Sequence, residues 1–368
     1  MRIYFLLMLL AYLGGNIYIF VRGLQAVQHL PSVFKWLWSV FFWLSFLAII
    51  PAFAMRNTRI ATAAGWHVFY EYASSWLVVT LYMGLLLLCF DAFRLFHHPF
   101  RYGFAISLAL TVGLLIYGHY RYQHPACTVV DVEVDRPSTG RTQTLKIAGV
   151  SDVHLGMGTN KKRLQKYVRL INAQNPDIIL IAGDLIDSSI TPVRRGRMEE
   201  ELRQLRAPLG IYMSPGNHEY ISGIDGSRDY ISGSTGIRFL RDSVATLPNG
   251  LRIVGRDDVS NPSRKELRTL LEGAAGDGPV IVLDHQPYEL RQAEEAGADL
   301  LFCGHTHHGQ VWPMSWITER MFDVAYGFAK RGNTSVYVSS GLSLWGPPFR
   351  IGTKSELVVF NLRFKSRT

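Results

Sequence analysis

The stretch Ile178–Asp187, IILIAGDLID, decides the fold of this 368-residue chain. Its apolar run predicts a strand that is buried on both faces, as in sheets covered by helices on each side. The run ends at Gly183 and Asp184, where a glycine lets the backbone turn closely and an aspartate presents a carboxylate. Because ligands of open α/β sheets collect beyond the carboxyl ends of the strands, we expect a ligand site here.

Four further clusters of polar side chains follow apolar segments in the same way. Imidazole combined with carboxylate suits borderline divalent ions such as Mn, Fe, Zn, Co or Ni, and the lack of thiolates argues against a structural zinc site. So many ligands exceed what one tetrahedral ion takes with a position left open, whereas two ions about 3.5–4 Å apart, bridged by one carboxylate, accommodate them. The clusters are Asp152-Val153-His154, Gly216-Asn217-His218-Glu219, Asp284-His285 and Gly304-His305-Thr306-His307.

The first 118 residues have the composition of a membrane region, with Glu71 and Asp91 as their only acidic side chains. Four apolar stretches approach the length needed to cross a bilayer, so we expect about four spanning helices in residues 1–120. Four buried helices of a soluble protein fit poorly, because few polar positions recur at helical spacing. The stretches are Arg2–Phe20, Trp36–Ala54, Trp76–Phe90 and Phe104–Tyr117.

The expected membrane is the inner, cytoplasmic membrane of a bacterium. Basic residues beside the spans number four on each side, so the positive-inside rule leaves the orientation open. Arg136, Arg141 and Lys146, shortly after the last span, favour a cytoplasmic C-terminal domain. The formal charge of +9 is explained by basic residues that flank spans, so no nucleic-acid partner is expected.

Residues 121–143 contain Pro125, Pro137 and Gly140 and are interpreted as a linker. Residues 144–368 alternate strand and helix patterns and end in consecutive strands, which predicts an α/β domain with two sheets packed between helices. The three cysteines lie far apart, so a disulfide framework is not expected. The principal predicted strands are Leu145–Val150, Asp177–Ala182, Gly210–Ser214, Leu251–Gly255, Val280–Leu283, Leu300–Cys303, Val336–Ser339 and Glu356–Asn361.

The order SDVHLG, GDLID, GNHE, DH and GHTH resembles the DxH…GDxxD…GNH[ED]…H…GHxH pattern of the calcineurin-like metallophosphoesterase superfamily. This resemblance covers residues 145–363. It implies a four-layer α-β-β-α sandwich, here preceded by a multi-span helical membrane region. The ending GHTHHGQ…SSGLSLWGPPFR is similar to a subgroup of membrane-attached phosphoesterases that includes some UDP-2,3-diacylglucosamine hydrolases.

The resemblance also implies a role for each motif residue. Two divalent ions, with Mn favoured, would be bridged by Asp184, and His218 would be the catalytic acid above them. Two carboxylates against two such ions leave about +2, which attracts phosphate and acidifies a bridging water. Bound ions would thereby supply a hydroxide for in-line attack on phosphorus, and the resemblance implies that His218 would protonate the departing oxygen. The remaining implied ligands are Asp152, His154 and His307 for the first ion and Asn217, His285 and His305 for the second.

These inferences predict a metal-dependent hydrolase of a phosphodiester or pyrophosphate bond in a lipid-linked substrate, such as one of UDP-2,3-diacylglucosamine type. The alternatives are a hydrolase of a soluble nucleotide or monoester, and a non-enzymatic membrane scaffold. The apolar segment Pro313–Lys330 would either cover the core or form a rim that accepts lipid chains. Arg350 is a candidate clamp for substrate phosphate. Asp187 is interpreted as a helix N-cap in preference to a partner of a ligand.

Overall fold

The computed structural model describes residues 2–63, 65–95, 102–136, 144–273 and 278–364. Its N-terminal part contains four helical segments that are long and apolar enough to cross a membrane, which confirms the predicted number of spans. Helices α2 and α3 together form the second of them. The third begins at Trp66, ten residues before the predicted start at Trp76. The prediction started late because His67 and Glu71 lower the hydropathy of the first turns. The helices are α1 Arg2–Ala26, α2 Ser32–Leu47, α3 Ile49–Ala54, α4 Trp66–Leu95 and α5 Gly103–Gln123.

The C-terminal part alternates strands and helices, as its sequence pattern predicts. The strands are β1 Ala126–Val134, β2 Thr144–Val150, β3 Ile178–Ala182, β4 Ile211–Ser214, β5 Arg238–Phe239, β6 Ser243–Thr246, β7 Arg252–Gly255, β8 Val280–Leu283, β9 Leu300–Cys303, β10 Gly327–Arg331, β11 Thr334–Val338 and β12 Glu356–Phe364. The helices are α6 Lys161–Asn172, α7 Thr191–Arg195, α8 Glu199–Leu202, α9 Asn217–Ile221, α10 Ile224–Ser234, α11 Leu267–Glu272, α12 Leu290–Glu295 and α13 Met314–Met321.

The strands form two six-stranded mixed sheets, ordered β1-β12-β2-β3-β4-β5 and β10-β11-β9-β8-β7-β6. The inner faces of both sheets share one apolar core, in which Ile147 and Phe360 belong to the same cluster as Phe302. Helix α6 covers the outer face of the first sheet, and α11 and α12 cover that of the second. The four-layer α-β-β-α sandwich is therefore confirmed.

The parallel strands fix where the functional loops emerge. Strands β2, β3 and β4 are mutually parallel, and so are β7, β8 and β9. The loops that follow β2 and β3 therefore leave one edge of the first sheet, and those after β8 and β9 leave one edge of the second.

The predicted linker is wrong over residues 126–134. Helix α5 continues to Gln123, and β1 follows after only two residues and pairs in parallel with β12 from Ala126 to Val134. The alternation TVVDVEV, with the side chains of Val132 and Val134 buried, is typical of an edge strand with one covered face. The last membrane helix thus runs almost directly into the sheet, and the remaining predicted linker residues 137–143 lie outside the described residues.

The C-terminal domain packs directly along helices α4 and α5. Tyr82 of α4 donates its hydroxyl to the carbonyl oxygen of Trp312 at 2.6 Å, and the N–H of Arg350 donates to the carbonyl of Gly118 in α5 at 3.0 Å. Glu71 forms a largely buried ion pair with Arg163 of α6, at 3.4 Å. These contacts, at Glu71 and Tyr82 of α4 and at Gly118 of α5, hold the domain against the membrane helices.

Candidate dinuclear metal centre

The predicted ligands lie at the ends of strands, on backbone that is conformationally strained. Asp152 and His154 follow β2, Asp184 follows β3, and the φ angles of these three residues are 53°, 50° and 52°. His305 and His307, after β9, also have positive φ angles, of 71° and 49°. Residues other than glycine rarely adopt this conformation, and such strain clusters at functional sites, where the surrounding fold enforces it.

Asp152, His154 and His307 converge on one point. Nε2 of His154 lies 3.2 Å from Nε2 of His307, and Nε2 of His307 lies 3.5 Å from Oδ1 of Asp152. The three ligand atoms are within 4.8 Å of one another. Asp152 and His154 are fully buried, so their polar atoms are withdrawn from bulk water.

A second convergence joins Asp184, His285, His305 and Asn217. Nε2 of His285 lies 3.1 Å from Oδ2 of Asp184, and Nδ1 of His305 lies 2.9 Å from Oδ1 of Asn217. The same Asp184 oxygen is 3.8 Å from Nε2 of His154, in the first group. Asp184 therefore lies between the two groups, where a bridging carboxylate would be.

The chemistry of these side chains fits bound cations. Nδ1 of His285 is 2.8 Å from the carbonyl oxygen of Ala182, which requires a proton on Nδ1 and leaves Nε2 as the atom that can bind a metal. Nε2 lies 3.1 Å from Oδ2 of Asp184, and that carboxylate raises the pKa of His285 well above its usual value, so the pair binds a proton on Nε2 or a cation in its place. Two electron-pair donors facing each other in a buried site are stabilised by a cation between them.

The buried carboxylates make this region strongly attractive to positive charge. Burial on its own would lower the pKa of His154, but the carboxylates of Asp152 and Asp187 raise it to about 10. Burial lowers the pKa of His307 to about 3 and that of His305 to about 4, so both imidazoles are neutral ligands at physiological pH. The centre thus combines two neutral imidazoles, His305 and His307, with carboxylates that hold a proton on His154, a positive charge that a bound cation can replace.

Two glycines and a buried glutamate shape the loops around Asp184. A Cβ atom at Gly183 would collide with the imidazole of His285, and one at Gly216 would collide with the Asp184 carboxylate. Glu219 accepts from the backbone N–H groups of Asp184, Ile186 and Gly216 at 2.8–2.9 Å. Burial and the Asp184 charge raise the pKa of Glu219 to about 7. Glu219 therefore ties the loop after β3 to the start of α9.

Asp187 has a role other than the predicted helix N-cap. Helix α7 begins at Thr191 and its N-cap position is Ile190, so Asp187 caps no helix there. Its Oδ1 lies 2.9 Å from Nδ1 of His218 and 3.7 Å from Nδ1 of His154. Asp187 thus orients the predicted catalytic histidine, and its place in the GDxxD motif is the sequence signal that would have identified it.

Arg350 is not a substrate clamp, which corrects the sequence prediction. Its side chain is fully buried and donates to the carbonyl oxygens of His307 at 2.6 Å and Ser343 at 3.0 Å. It also donates to the carbonyl of Ser340 and to Oγ of Ser355. With its N–H groups held by backbone and hydroxyl oxygens, Arg350 joins the last ligand loop to the loop before β12.

The apolar segment after the last ligands divides between the two predicted roles. Phe322 is buried, with its ring centroid 6.2 Å from that of His305. Trp316 and Met321 are exposed by 58% and 63%. Trp345, on the next loop, has its ring centroid 6.5 Å from that of His218. One part of the segment, Phe322, therefore packs against a candidate ligand, and another part, with Trp316 and Met321, is an exposed apolar surface.

A two-sheet sandwich with these paired clusters at its strand ends defines the class of dinuclear metal hydrolases. The Calcineurin-like phosphoesterase family profile matches residues 145–309. An uncharacterized metallophosphoesterase of Aquifex aeolicus is 30% identical over 229 residues, which cover 60% of this chain and 86% of that protein. The chain belongs to the calcineurin-like metallophosphoesterase family, whose members use dinuclear metal centres.

Two other relatives match a larger share of this chain. A Danio rerio protein named "Transmembrane protein with metallophosphoesterase domain" is 31% identical over 269 residues, 68% of this chain. The chain spans 61% of that relative's length. An uncharacterized metallophosphoesterase of Campylobacter jejuni is 27% identical over 382 aligned positions, 99% of each chain. Together with the four apolar helices, these relatives support a membrane protein.

Proposed function

We propose that this protein is a membrane-anchored dinuclear-metal phosphoesterase that hydrolyses a phosphodiester or pyrophosphate bond in a lipid-linked substrate. The observation that carries the proposal is the position of Trp345. Its ring centroid lies 6.5 Å from that of His218 on one side and 6.2 Å from that of Phe53, in the membrane region, on the other. The predicted catalytic side chain is thus separated from the membrane helices by a single indole.

The proposed ligand sets follow the two convergent groups. Asp184 is the proposed bridge, and when two divalent ions are bound they supply positive charge for the phosphoryl oxygens and acidify water. His218, oriented by Asp187, is placed to give its proton to the leaving oxygen. The first ion would be held by Asp152, His154 and His307, and the second by Asn217, His285 and His305.

The proposed ions are borderline divalent cations, with Mn²⁺ favoured over Fe, Zn, Co or Ni. Imidazole nitrogens, carboxylates and one amide oxygen suit this group of metals. The coordination geometry of the site and the availability of each metal in the cell select among these ions. The rate of turnover should therefore be compared with each metal in turn.

We infer that the catalytic domain lies on the cytoplasmic side of a bacterial inner membrane. Helix α7, which carries Arg194 and Arg195, packs against the turns at Met55–Asn57 and Arg59–Thr62 that separate two spans. The support for this side is that Arg136 and Lys146 follow the last span closely in sequence, where the positive-inside rule favours the cytoplasm. Labelling of Cys127, which is exposed, by a membrane-impermeant maleimide in intact cells would contradict this orientation.

The proposed activity is tested with the purified full chain in nanodiscs, supplied with Mn²⁺. Hydrolysis of bis(p-nitrophenyl) phosphate, p-nitrophenyl phosphate and a lipid-linked pyrophosphate is compared between the wild type and His218→Gln. We expect the lipid-linked substrate to have the highest kcat/KM, and mass spectrometry of a lipid extract incubated with each protein to identify the natural substrate. Preference for the soluble monoester would favour the alternative of a soluble substrate, and inactivity toward all three would favour a scaffold.

A further inference from the structure

Helix α13 presents an apolar face that the rest of the described chain does not cover. Trp312, Trp316, Ile317 and Met321 are exposed by 42%, 58%, 51% and 63%. Positions 316, 317 and 321 lie on one side of a helix, whereas Ser315 on the other side is buried. Trp312 lies just before the helix, and the exposed Arg320 lies among the other three on its outer side. An exposed apolar cluster of this kind is typical of an interaction surface.

The position of α13 along helix α4 indicates what covers this face. Tyr82, whose hydroxyl donates to the carbonyl of Trp312, lies 16 residues beyond Trp66, the first residue of α4. The first turns of α4 carry the polar His67 and Glu71, and the continuous apolar stretch begins at Trp76, six residues or about 9 Å before Tyr82. Within the candidate span Trp66–Arg94, α13 therefore lies beside the first part of the apolar stretch and not beyond the end of the span.

The side packing of α13 points to the same surroundings. Met314 packs against Val78 and Tyr82 of α4 in an apolar cluster that also includes Val311 and Phe349. The inner face of α13 is therefore joined to the membrane helices, and its outer face continues their apolar surface. The aromatic and aliphatic composition of that face, with Arg320 long enough to reach headgroups, is that of a helix lying at a membrane interface.

We propose that the outer face of α13, formed by Trp312, Trp316, Ile317 and Met321, lies in the lipid layer around α4 and holds the entrance of the metal centre at that lipid surface. Both ends of α13 are tied to the candidate ligands. His307 precedes Trp312 by five residues, and Phe322, directly after the helix, contacts His305. A lipid-borne phosphate ester would then approach the centre along the surface that α13 occupies, a step that rests on the proposed function.

The lipid contact is tested by fluorescence depth quenching in nanodiscs, independently of hydrolysis. Cys89 and Cys127 are replaced by serine, which leaves the buried Cys303, and the environment-sensitive dye NBD is attached at Ile317→Cys. The matched control is Val129→Cys, an exposed apolar position on the edge strand β1. Trp316→Cys is a second reporter in case the first variant does not fold, and a thermal unfolding transition like that of the wild type verifies folding.

We expect blue-shifted NBD emission at Ile317→Cys that lipids carrying a doxyl group quench at least twofold more strongly than the emission at Val129→Cys. Emission like that of the control would overturn the proposal. A blue shift without doxyl quenching, together with cross-linking between copies, would also overturn it, because a second copy would then cover the face.

Comparing a lipid-linked with a soluble substrate distinguishes the lipid contact of α13 from catalysis at the metal centre. Ile317→Asp is expected to lower kcat/KM for the lipid-linked substrate at least tenfold while hydrolysis of bis(p-nitrophenyl) phosphate stays within twofold of wild type. Equal loss on both substrates would contradict a role in lipid access. Doxyl quenching at Ile317→Cys in a protein that hydrolyses no lipid-linked ester would uphold the lipid contact and refute the proposed function.

Discussion

Nδ1 of His218 lies 2.9 Å from Oδ1 of Asp187, and this contact links the predicted catalytic histidine to the loop that follows β3. Ser188 donates its hydroxyl to the same carboxylate oxygen at 3.0 Å. The Asp187 side chain is buried, and burial is outweighed by its contacts with His154 and His218, which lower the pKa of its carboxyl group well below the usual range. Asp187 therefore stays ionised and fixes the orientation of His218.

Asp187→Asn is expected to lower kcat about 10- to 100-fold, the usual effect of removing a partner that orients a ligand or catalytic histidine. The loss should be larger for substrates with alkyl leaving groups than for p-nitrophenyl esters, because a poor leaving group depends more on protonation. Steady-state rates with both ester types measure this. Asp225→Asn, at a carboxylate that is 74% exposed, is the control and should behave as wild type. An equal loss for both leaving groups would contradict a role through His218.

Asn217→Asp is expected to lower turnover while metal remains bound. A third carboxylate beside Asp152 and Asp184 would cancel part of the positive charge that attracts and stabilises the phosphoryl group. We expect a loss in kcat/KM of at least about tenfold, the effect of roughly 1.4 kcal/mol in transition-state stabilisation. Metal content and rate are measured on the same sample, with Asn333→Asp, an exposed position, as control. Wild-type turnover in the Asn217 variant would remove this argument.

Arg350→Ala is expected to destabilise the domain and not to raise KM selectively. The substitution leaves the buried carbonyl oxygens of Ser340 and Ser343 without their donor, whereas that of His307 still accepts from the N–H of Gln310. Each unsatisfied buried group costs about 1–3 kcal/mol, so a total of at least about 2 kcal/mol is expected. Thermal unfolding in detergent is the measurement, with Arg331→Ala, a surface position, as control. A stable Arg350 variant with a raised KM would instead support the phosphate clamp.

Sequence was sufficient to predict the sandwich and the residues that the structure brings together. The ligand motifs could be found because each follows a buried apolar strand, as Asp184 follows Ile178–Ala182. Hydropathy was sufficient for the four spans, since their composition is nearly free of acidic residues. Both signals are local in sequence. Ligand residues lie directly after the strands that position them, and a spanning helix needs a long apolar stretch.

The errors arose where the outcome depends on tertiary placement. Arg350 follows an aromatic, proline-rich segment, which is equally compatible with an exposed phosphate-binding arginine and with a buried arginine that joins two loops. The position of the backbone carbonyl of His307, which accepts from Arg350, decides between them. Asp187 becomes a partner of His218 only because α9 begins next to the loop after β3. Strand β1 was interpreted as linker because prolines flank it, although its alternation was visible.

The metal content of the full chain distinguishes a dinuclear metal centre from a domain that binds no metal. The purified protein is loaded with Mn²⁺, freed of loosely bound ions by gel filtration and analysed by mass spectrometry alongside three single variants. Two bound ions, as in other dinuclear sites, predict about two Mn per wild-type chain and about one in each of His307→Ala and His285→Ala. The control is His308→Ala, whose ring stacks on Tyr326 and contacts Glu319, and it should keep about two, like the wild type. Less than one ion in the wild type, or unchanged content in both ligand variants, would contradict the account.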